Sequence, residues 1–283
     1  MVTFPNCKIN LGLNITNKRG DGYHDIETAF YPVQAKDALE VVEEKNIQPS
    51  MLNVQFSMSG LKIEGDQKNN LCLKAYDLLK KDFPKLPAVQ MHLHKAIPMG
   101  AGLGGGSADG AFTLQLLNKK FELNISEKQL INYSLELGSD CPFFILNKPC
   151  FATGRGEILE QTGLDLSEYK ILIVHPAIHI STAWSFSQLS GSRQTREPDN
   201  YKKVKEVILQ PIETWKDELM NDFENPVFAK YPEIKIIKEK LYDAGAIYAS
   251  MSGSGSAFYG IFNGKEILSI SFPKRYFVKE VNV

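Results

Sequence analysis

An α+β fold is the class this sequence predicts, and three observations carry the prediction. Residues 7 to 15 alternate apolar and polar side chains with the period of two that strands require, and strand-like stretches continue to about residue 58. The middle of the chain carries helix starts with recognisable caps, and two apolar runs near its end meet at a glycine-rich turn. Strands and helices interleave without strict βαβ repetition, which argues against a doubly wound parallel sheet.

Residues 7 to 15 form the first predicted strand, half-buried, with Ile9, Leu11, Leu13 and Ile15 on one face and Lys8, Asn10 and Asn14 on the other. A Gly-Asp-Gly turn at 20 to 22 leads through Tyr23 and His24 into strands over about 25–33, 38–43 and 52–58. Asn70 caps a helix carrying Leu71, Ala75, Leu78 and Leu79. Val89, Met91 and Leu93 alternate ahead of a glycine loop, and a helix with Ala111, Leu114, Leu116 and Leu117 follows it. Ser126 and Gln129 make a capping box for a further helix that Gly138 closes. The Phe151 to Glu157 stretch reads as a turn with apolar flanks, the approach to a second unit, so that domains of 1–155 and 156–283 are expected. In that unit a buried strand is expected at 169–174, an ill-defined polar stretch at about 188–204, and amphipathic helices over 206–244 broken by Pro226 and Pro232. Gly245 ends the last helix, and the strands 246–251 and 257–262 flank Ser252-Gly253-Ser254-Gly255-Ser256. That turn is either a tight hairpin or a ligand contact.

With 283 residues and 43% hydrophobic content the chain can bury a substantial core. The 32 basic and 33 acidic residues balance, so no field favours nucleic acid or an anionic membrane as a partner. No apolar run approaches a bilayer span and the first residues lack a signal-peptide pattern, so a cytoplasmic protein is expected. Cys7, Cys72, Cys141 and Cys150 lack C-x-x-C spacing, which points to buried thiols rather than zinc or disulfides.

Five glycines occupy the seven positions from Gly100 to Gly106, and Ser107 follows at a helix start. Without a Cβ the backbone can approach anionic oxygens, and the free amides and dipole of a helix N-terminus attract them, so the loop suits a triphosphate. Gly100, Gly102 and Gly105 fit a dinucleotide fingerprint by letter, but no strand follows the next helix. The lysine of a Walker loop is also missing, because Ser107 is preceded by glycine. A flexible linker does not fit between two ordered apolar patterns. Asp140, in Gly-Ser-Asp-Cys-Pro-Phe-Phe, is a lone carboxylate entering a segment that should be buried, where an ion needs a partner. Lys8 is a candidate partner. Alone, each also reads as an ordinary turn aspartate or solvated lysine.

Four motifs in order, Lys-Ile-Asn-Leu at 8 to 11, Pro-Met-Gly-Ala-Gly-Leu-Gly-Gly-Gly-Ser at 98 to 107, Gly-Ser-Asp-Cys-Pro-Phe-Phe at 138 to 144 and the late Ser-Gly-Ser-Gly-Ser turn, resemble the GHMP small-molecule kinases. Gly-Asp-Gly-Tyr-His-Asp-Ile-Glu-Thr at 20 to 28 is similar to the branch acting on a cytidyl-diphosphate alcohol; homoserine, mevalonate and sugar kinases are the alternative branches. The resemblance implies a ribosomal protein S5 domain 2-like N-terminal kinase domain and a ferredoxin-like C-terminal domain, with ATP as co-substrate, Mg²⁺ accompanying it, and a monomer or homodimer. It implies that Asp140 takes the proton of the acceptor hydroxyl while Lys8 holds Asp140 ionised. ATP would lie on Lys95 and on Pro98, Met99, Gly100, Ala101, Gly102, Leu103, Gly104, Gly105, Gly106, Ser107 and Ala108, with Ser107 the best candidate for Mg²⁺. Asn10, Tyr23 and His24 would face the substrate, Tyr23 stacking on cytosine and His24 bonding its edge, and segment 175–182 would line the alcohol end. Four positions depart from the family pattern, two of them, Ser139 and Cys141, standing where alanine and valine are frequent without changing the implied roles. Ala108 replaces a serine, removing a hydroxyl, and Gly110 replaces an alanine, which is expected to loosen the first helical turn. A catalytically silent nucleotide-binding protein and a dinucleotide oxidoreductase are the remaining alternatives.

Overall fold

The computed structural model describes residues 1–44, 53–62, 66–189, 203–265 and 267–282. The strands are β1 (Val2–Thr3), β2 (Asn6–Lys18), β3 (His24–Lys36), β4 (Ala38–Glu43), β5 (Val54–Gly60), β6 (Val89–Lys95), β7 (Cys150–Thr153), β8 (Ile158–Gln161), β9 (Tyr169–His175), β10 (Tyr248–Met251), β11 (Phe258–Asn263) and β12 (Phe277–Asn282). The helices are α1 (Leu71–Asp82), α2 (Gly105–Lys120), α3 (Glu127–Leu137), α4 (Cys141–Leu146), α5 (Thr182–Gln188), α6 (Val204–Val207), α7 (Trp215–Glu218), α8 (Glu224–Lys230) and α9 (Pro232–Asp243). They fall into two compact units that are not consecutive in sequence. The first comprises residues 1–7, 35–99 and 104–147, and the second comprises 8–34, 100–103 and 148–283.

In the first unit the sheet runs β1-β4-β6-β5, with β6 antiparallel to β4 and parallel to β5. Val89, Met91, Leu93 and Lys95 of β6 are buried, alternating with the more exposed Gln90, His92 and His94. The expected caps are present. Asn70 Oδ1 accepts from the Cys72 amide at the start of α1, and Ser126 and Gln129 close a capping box on α3. Gly110 lies in α2 where it faces two neighbouring helices. A Cβ there would lie 2.8 Å from Leu71 Cβ and 3.3 Å from Leu137 Cδ1, so the glycine lets neighbouring helices approach.

The second unit holds two sheets, β2-β3-β7-β8 and β10-β11-β9-β12. A core around Val174, Phe223, Ile234, Leu241, Met251 and Phe258 packs helices against the second of them. The turn at 154–157 joins β7 and β8 as a hairpin in the sheet of β2 and β3. Two expectations need correction. β2 is buried on both faces from Asn6 to Asn14, because its polar side chains find partners inside the protein. Pro226 does not break a helix; it sits in the first turn of α8, where no intrahelical amide bond is lost, and Pro232 opens α9. The helical region is interrupted at Pro232, as expected, where α8 gives way to α9, and also around Asn221, which bridges to Leu13. The polar stretch at 188–204 lies outside the described residues except for 188, 189, 203 and 204. The strand expected from 52 begins at Val54, and 45–52 are likewise outside.

Candidate active site

In the second unit Lys8, Asn10, Gly102 and Ser252 form one hydrogen-bonded group. Lys8 Nζ donates to Asn10 Oδ1 at 2.6 Å and to the Gly102 carbonyl at 3.0 Å, and stands 5.0 Å from the Phe30 ring centre. Asn10 donates through Nδ2 to Thr28 Oγ1 at 3.0 Å and through its amide to Ser252 Oγ at 3.2 Å. Ser252 Oγ in turn donates to the Gly102 carbonyl at 2.8 Å, and Tyr259 donates its hydroxyl proton to the Asn10 carbonyl at 2.6 Å. The group is buried, with Lys8 3% and Asn10 2% exposed, so its polar atoms need partners inside the protein or in a bound ligand.

Residues 100 to 103 of the glycine loop belong to this unit and run along the late glycine turn. The Ala257 amide donates to the Ala101 carbonyl at 3.0 Å, and the Lys8 amide to the Leu103 carbonyl at 2.9 Å. Gly102 adopts φ +81°, and a Cβ there would fall 1.9 Å from the Ser252 carbonyl oxygen. Only glycine fits. Asn221 holds the turn from the other side, donating Nδ2 to the Met251 and Gly253 carbonyls at 2.8 and 2.9 Å. The late turn is thus both a connection between antiparallel strands and a support for the loop.

Tyr23 and His24 stand at the start of β3, Tyr23 being 56% exposed. The Arg155 guanidinium lies 5.0 Å from the Tyr23 ring centre. His24 stacks on Phe186 of α5 with ring centres 4.8 Å apart and planes 18° apart. Phe186 was not legible in the sequence. Its helix is seven residues long, and the signal that marks it is Ser181, whose hydroxyl accepts from the Trp184 amide as a cap.

In the first unit Gly104, with φ 71°, is the N-cap of α2 and supplies no side-chain cap to its first turn. Its opening amides therefore remain available to an anion. Burial pushes the Cys141 thiol up to about 12, an effect that the nearby Ser107 hydroxyl partly offsets. Asp140 immediately precedes Cys141 at the N-cap of α4, half-buried, and its side chain does not cap the helix. The packing of α2 on α4 brings the Ser107 and Asp140 segments together. Pro98 and Ala108 are buried, and Met99 is 43% exposed with its thioether end against Gly106.

Lys95 departs from the expectation that it faces the nucleotide. Its side chain has no exposure, and Nζ is held by Asp37 and, at 2.7 Å, by Asp109 Oδ2. Asp37 Oδ1 also accepts the Ala96 and Ile97 amides at 2.6 and 2.9 Å, fixing the chain where it enters the glycine loop. The ammonium lies 3.4 Å from the point where a Cβ on Gly105 would be, beneath the start of α2. Burial alone would lower the lysine's pKa, but the two carboxylates raise it; burial pushes Asp109 up to about 7 against the pull of Lys95.

Family models described as GHMP kinases N terminal domain and GHMP kinases C terminal match residues 70–148 and 204–270. A 4-diphosphocytidyl-2-C-methyl-D-erythritol kinase of Bacteroides fragilis (strain YCH46) is 50% identical over 266 residues, which cover 94% of this chain and 93% of that relative. The chain belongs to the GHMP kinases. A crystal structure of a 4-(cytidine 5'-diphospho)-2C-methyl-D-erythritol kinase superposes on this GHMP kinase with a TM-score of 0.76 at 28% identity, covering 92% of this chain and 90% of that one. The Methanococcus jannaschii mevalonate kinase shares the fold, with a TM-score of 0.70 at 14% identity over 100% and 98% of the two chains. Among the described residues of this GHMP kinase no group of three or more His, Cys, Asp or Glu could hold a metal ion, and no helix is long and apolar enough to cross a membrane.

Proposed function

We propose that this GHMP kinase transfers the γ-phosphoryl group of ATP to the 2-hydroxyl of 4-diphosphocytidyl-2-C-methyl-D-erythritol, giving the 2-phosphate and ADP in non-mevalonate isoprenoid synthesis. The observation that carries the reading is the start of α2 after Gly104, which has no side-chain cap, on a helix packed against the α4 segment that Asp140 opens. Amides of the loop and helix start bind the triphosphate, and Asp140 accepts the hydroxyl proton as the new O–P bond forms and the bond to ADP breaks. Lys8 serves as the cation that keeps Asp140 ionised. Asn10 holds the acceptor, and Tyr23, His24 and Phe186 offer aromatic faces to a cytosine. Lys95 acts on the loop from beneath, through Asp37 and Asp109, rather than on the nucleotide.

The Ser107 hydroxyl and Asp140 carboxylate are hard oxygen donors on one unit, which suits an Mg²⁺ that arrives with the phosphates rather than one held in a protein cage. When bound, the ion supplies neutralisation of phosphate charge. Identity of about one half to the Bacteroides fragilis enzyme, against 14% to the mevalonate kinase, favours the cytidyl alcohol over other acceptors. The family-model limits leave 149–203 unassigned between them, and the proposed division into 1–155 and 156–283 is one of sequence only, since the β7–β8 hairpin spans residue 155. A cytoplasmic monomer or homodimer completes the proposal.

The decisive test is ADP release with purified protein and the cytidyl alcohol, homoserine, mevalonate or galactose in turn. Turnover of the cytidyl alcohol is expected. Turnover of one of the others alone rejects the acceptor. Asp140→Asn is expected to lower kcat by about 10²-fold or more while ATP affinity is kept; an unchanged kcat removes Asp140 from the chemistry.

A further inference from the structure

The glycine loop carries no lysine of its own, and Lys95, the nearest in sequence, is committed to two buried carboxylates. A triphosphate on the loop therefore calls for a polar group from elsewhere in the chain. His179 is in contact with it. A Cβ built on Gly100 would lie 3.1 Å from His179 Nδ1 and 3.4 Å from Cε1, so the imidazole rests against that glycine, and both residues belong to the second unit.

Its neighbours dictate where the ring points. Ile180 is buried in the core, Ile178 packs against the same core, and the Ile178 carbonyl accepts a hydrogen bond from Ser256 Oγ. Two residues further on, Thr182 Oγ1 stands 2.9 Å from Ser254 Oγ. The segment is therefore fixed on both sides of His179 by the same late turn whose Ser252 braces Gly102. With Ile178 and Ile180 packed inward, His179 is left exposed, and among the described residues neither ring nitrogen has a hydrogen-bond partner. Such an imidazole, held against a loop that binds anions, is available as a donor: one N–H when neutral and two when charged.

We propose that His179 is a polyphosphate-contacting residue, donating a hydrogen bond to a phosphate oxygen of the nucleotide bound on the Gly100 side of the loop. The proposal rests on the kinase reading for the identity of the ligand. Its test is chosen to stand apart from the acceptor. Calorimetric binding of inorganic tripolyphosphate, and KM for ATP, are measured for the wild type, His179→Ala and His179→Gln. The alanine variant is expected to lose about tenfold in tripolyphosphate affinity and to raise KM for ATP similarly, as removal of a hydrogen bond to a charged group should. Glutamine, which keeps an N–H donor, is expected to recover part of both. KM for the cytidyl alcohol and the thermal midpoint should stay at wild-type values. The proposal is overturned if tripolyphosphate affinity and KM for ATP stay within about twofold of wild type in the alanine variant, or if the loss falls on the alcohol alone. It is also overturned if wild-type protein binds no tripolyphosphate. Protein that binds tripolyphosphate through His179 but does not phosphorylate the cytidyl alcohol supports this inference and removes the acceptor assignment.

Discussion

Lys95 shows how one side chain can serve a site without touching a ligand. Its ammonium joins Asp37, which pins the entry of the glycine loop, to Asp109, one turn into the helix that leaves it. Replacing it with methionine strands two buried carboxylates, and Lys95→Met is expected to cost about 3–5 kcal/mol in urea unfolding. Asp109 supplies a second, opposite test. Its carboxyl is pushed up to about 7 by burial, while in the unfolded chain it titrates near about 3.9. Between those values the folded state holds a proton that the unfolded state has lost, so this contribution is complete at low pH and disappears as pH rises through 7. Wild-type protein should therefore lose more stability between pH 5 and pH 8 than Asp109→Asn does. Equal losses in the two proteins, read from urea midpoints, would mean that the carboxyl is ionised throughout.

At the scale of elements, the joint between the glycine loop and the late turn is the most demanding. Gly102→Ala places a methyl group on the Ser252 carbonyl in a left-handed backbone, so it is expected to lower the thermal midpoint and raise KM for ATP together. Ser126→Ala makes a useful contrast, costing about 1 kcal/mol through its cap with KM and kcat unchanged. Elements of this second kind were legible in the sequence, because a cap or an alternation is written within a few neighbouring residues. Asn70, the Ser126 box, Gly245 and the strands around 25–33, 38–43 and 169–174 all belong here. What stayed hidden depends on distant partners. Lys8 and Asn10 looked like a solvated face because Thr28, Gly102 and Ser252 come from other segments. Lys95 looked like a ligand-facing cation because Asp37 lies 58 residues earlier. Phe186, β1 and β12 gave too short a local pattern to stand out, and only stacking on His24 or pairing with β4 and β9 reveals them.

For the molecule as a whole, the four thiols report on global opening. All are free and buried, and burial raises each of Cys72, Cys141 and Cys150, the last to about 11. Native protein is expected to resist alkylation at pH 8 and to take up four labels in one step as it unfolds, with reducing agent leaving the midpoint unchanged. A label acquired well below the midpoint would reveal a local opening instead. The path of the chain has its own consequence. It passes between the two compact units after residues 7, 34, 99, 103 and 147, twice within the glycine loop itself. No single cut yields either unit intact: a fragment ending at 147 carries β2 and β3 away from the sheet they share with β7 and β8, and the remainder lacks both. Swapping either unit for a cousin's therefore takes several matched splices rather than one junction.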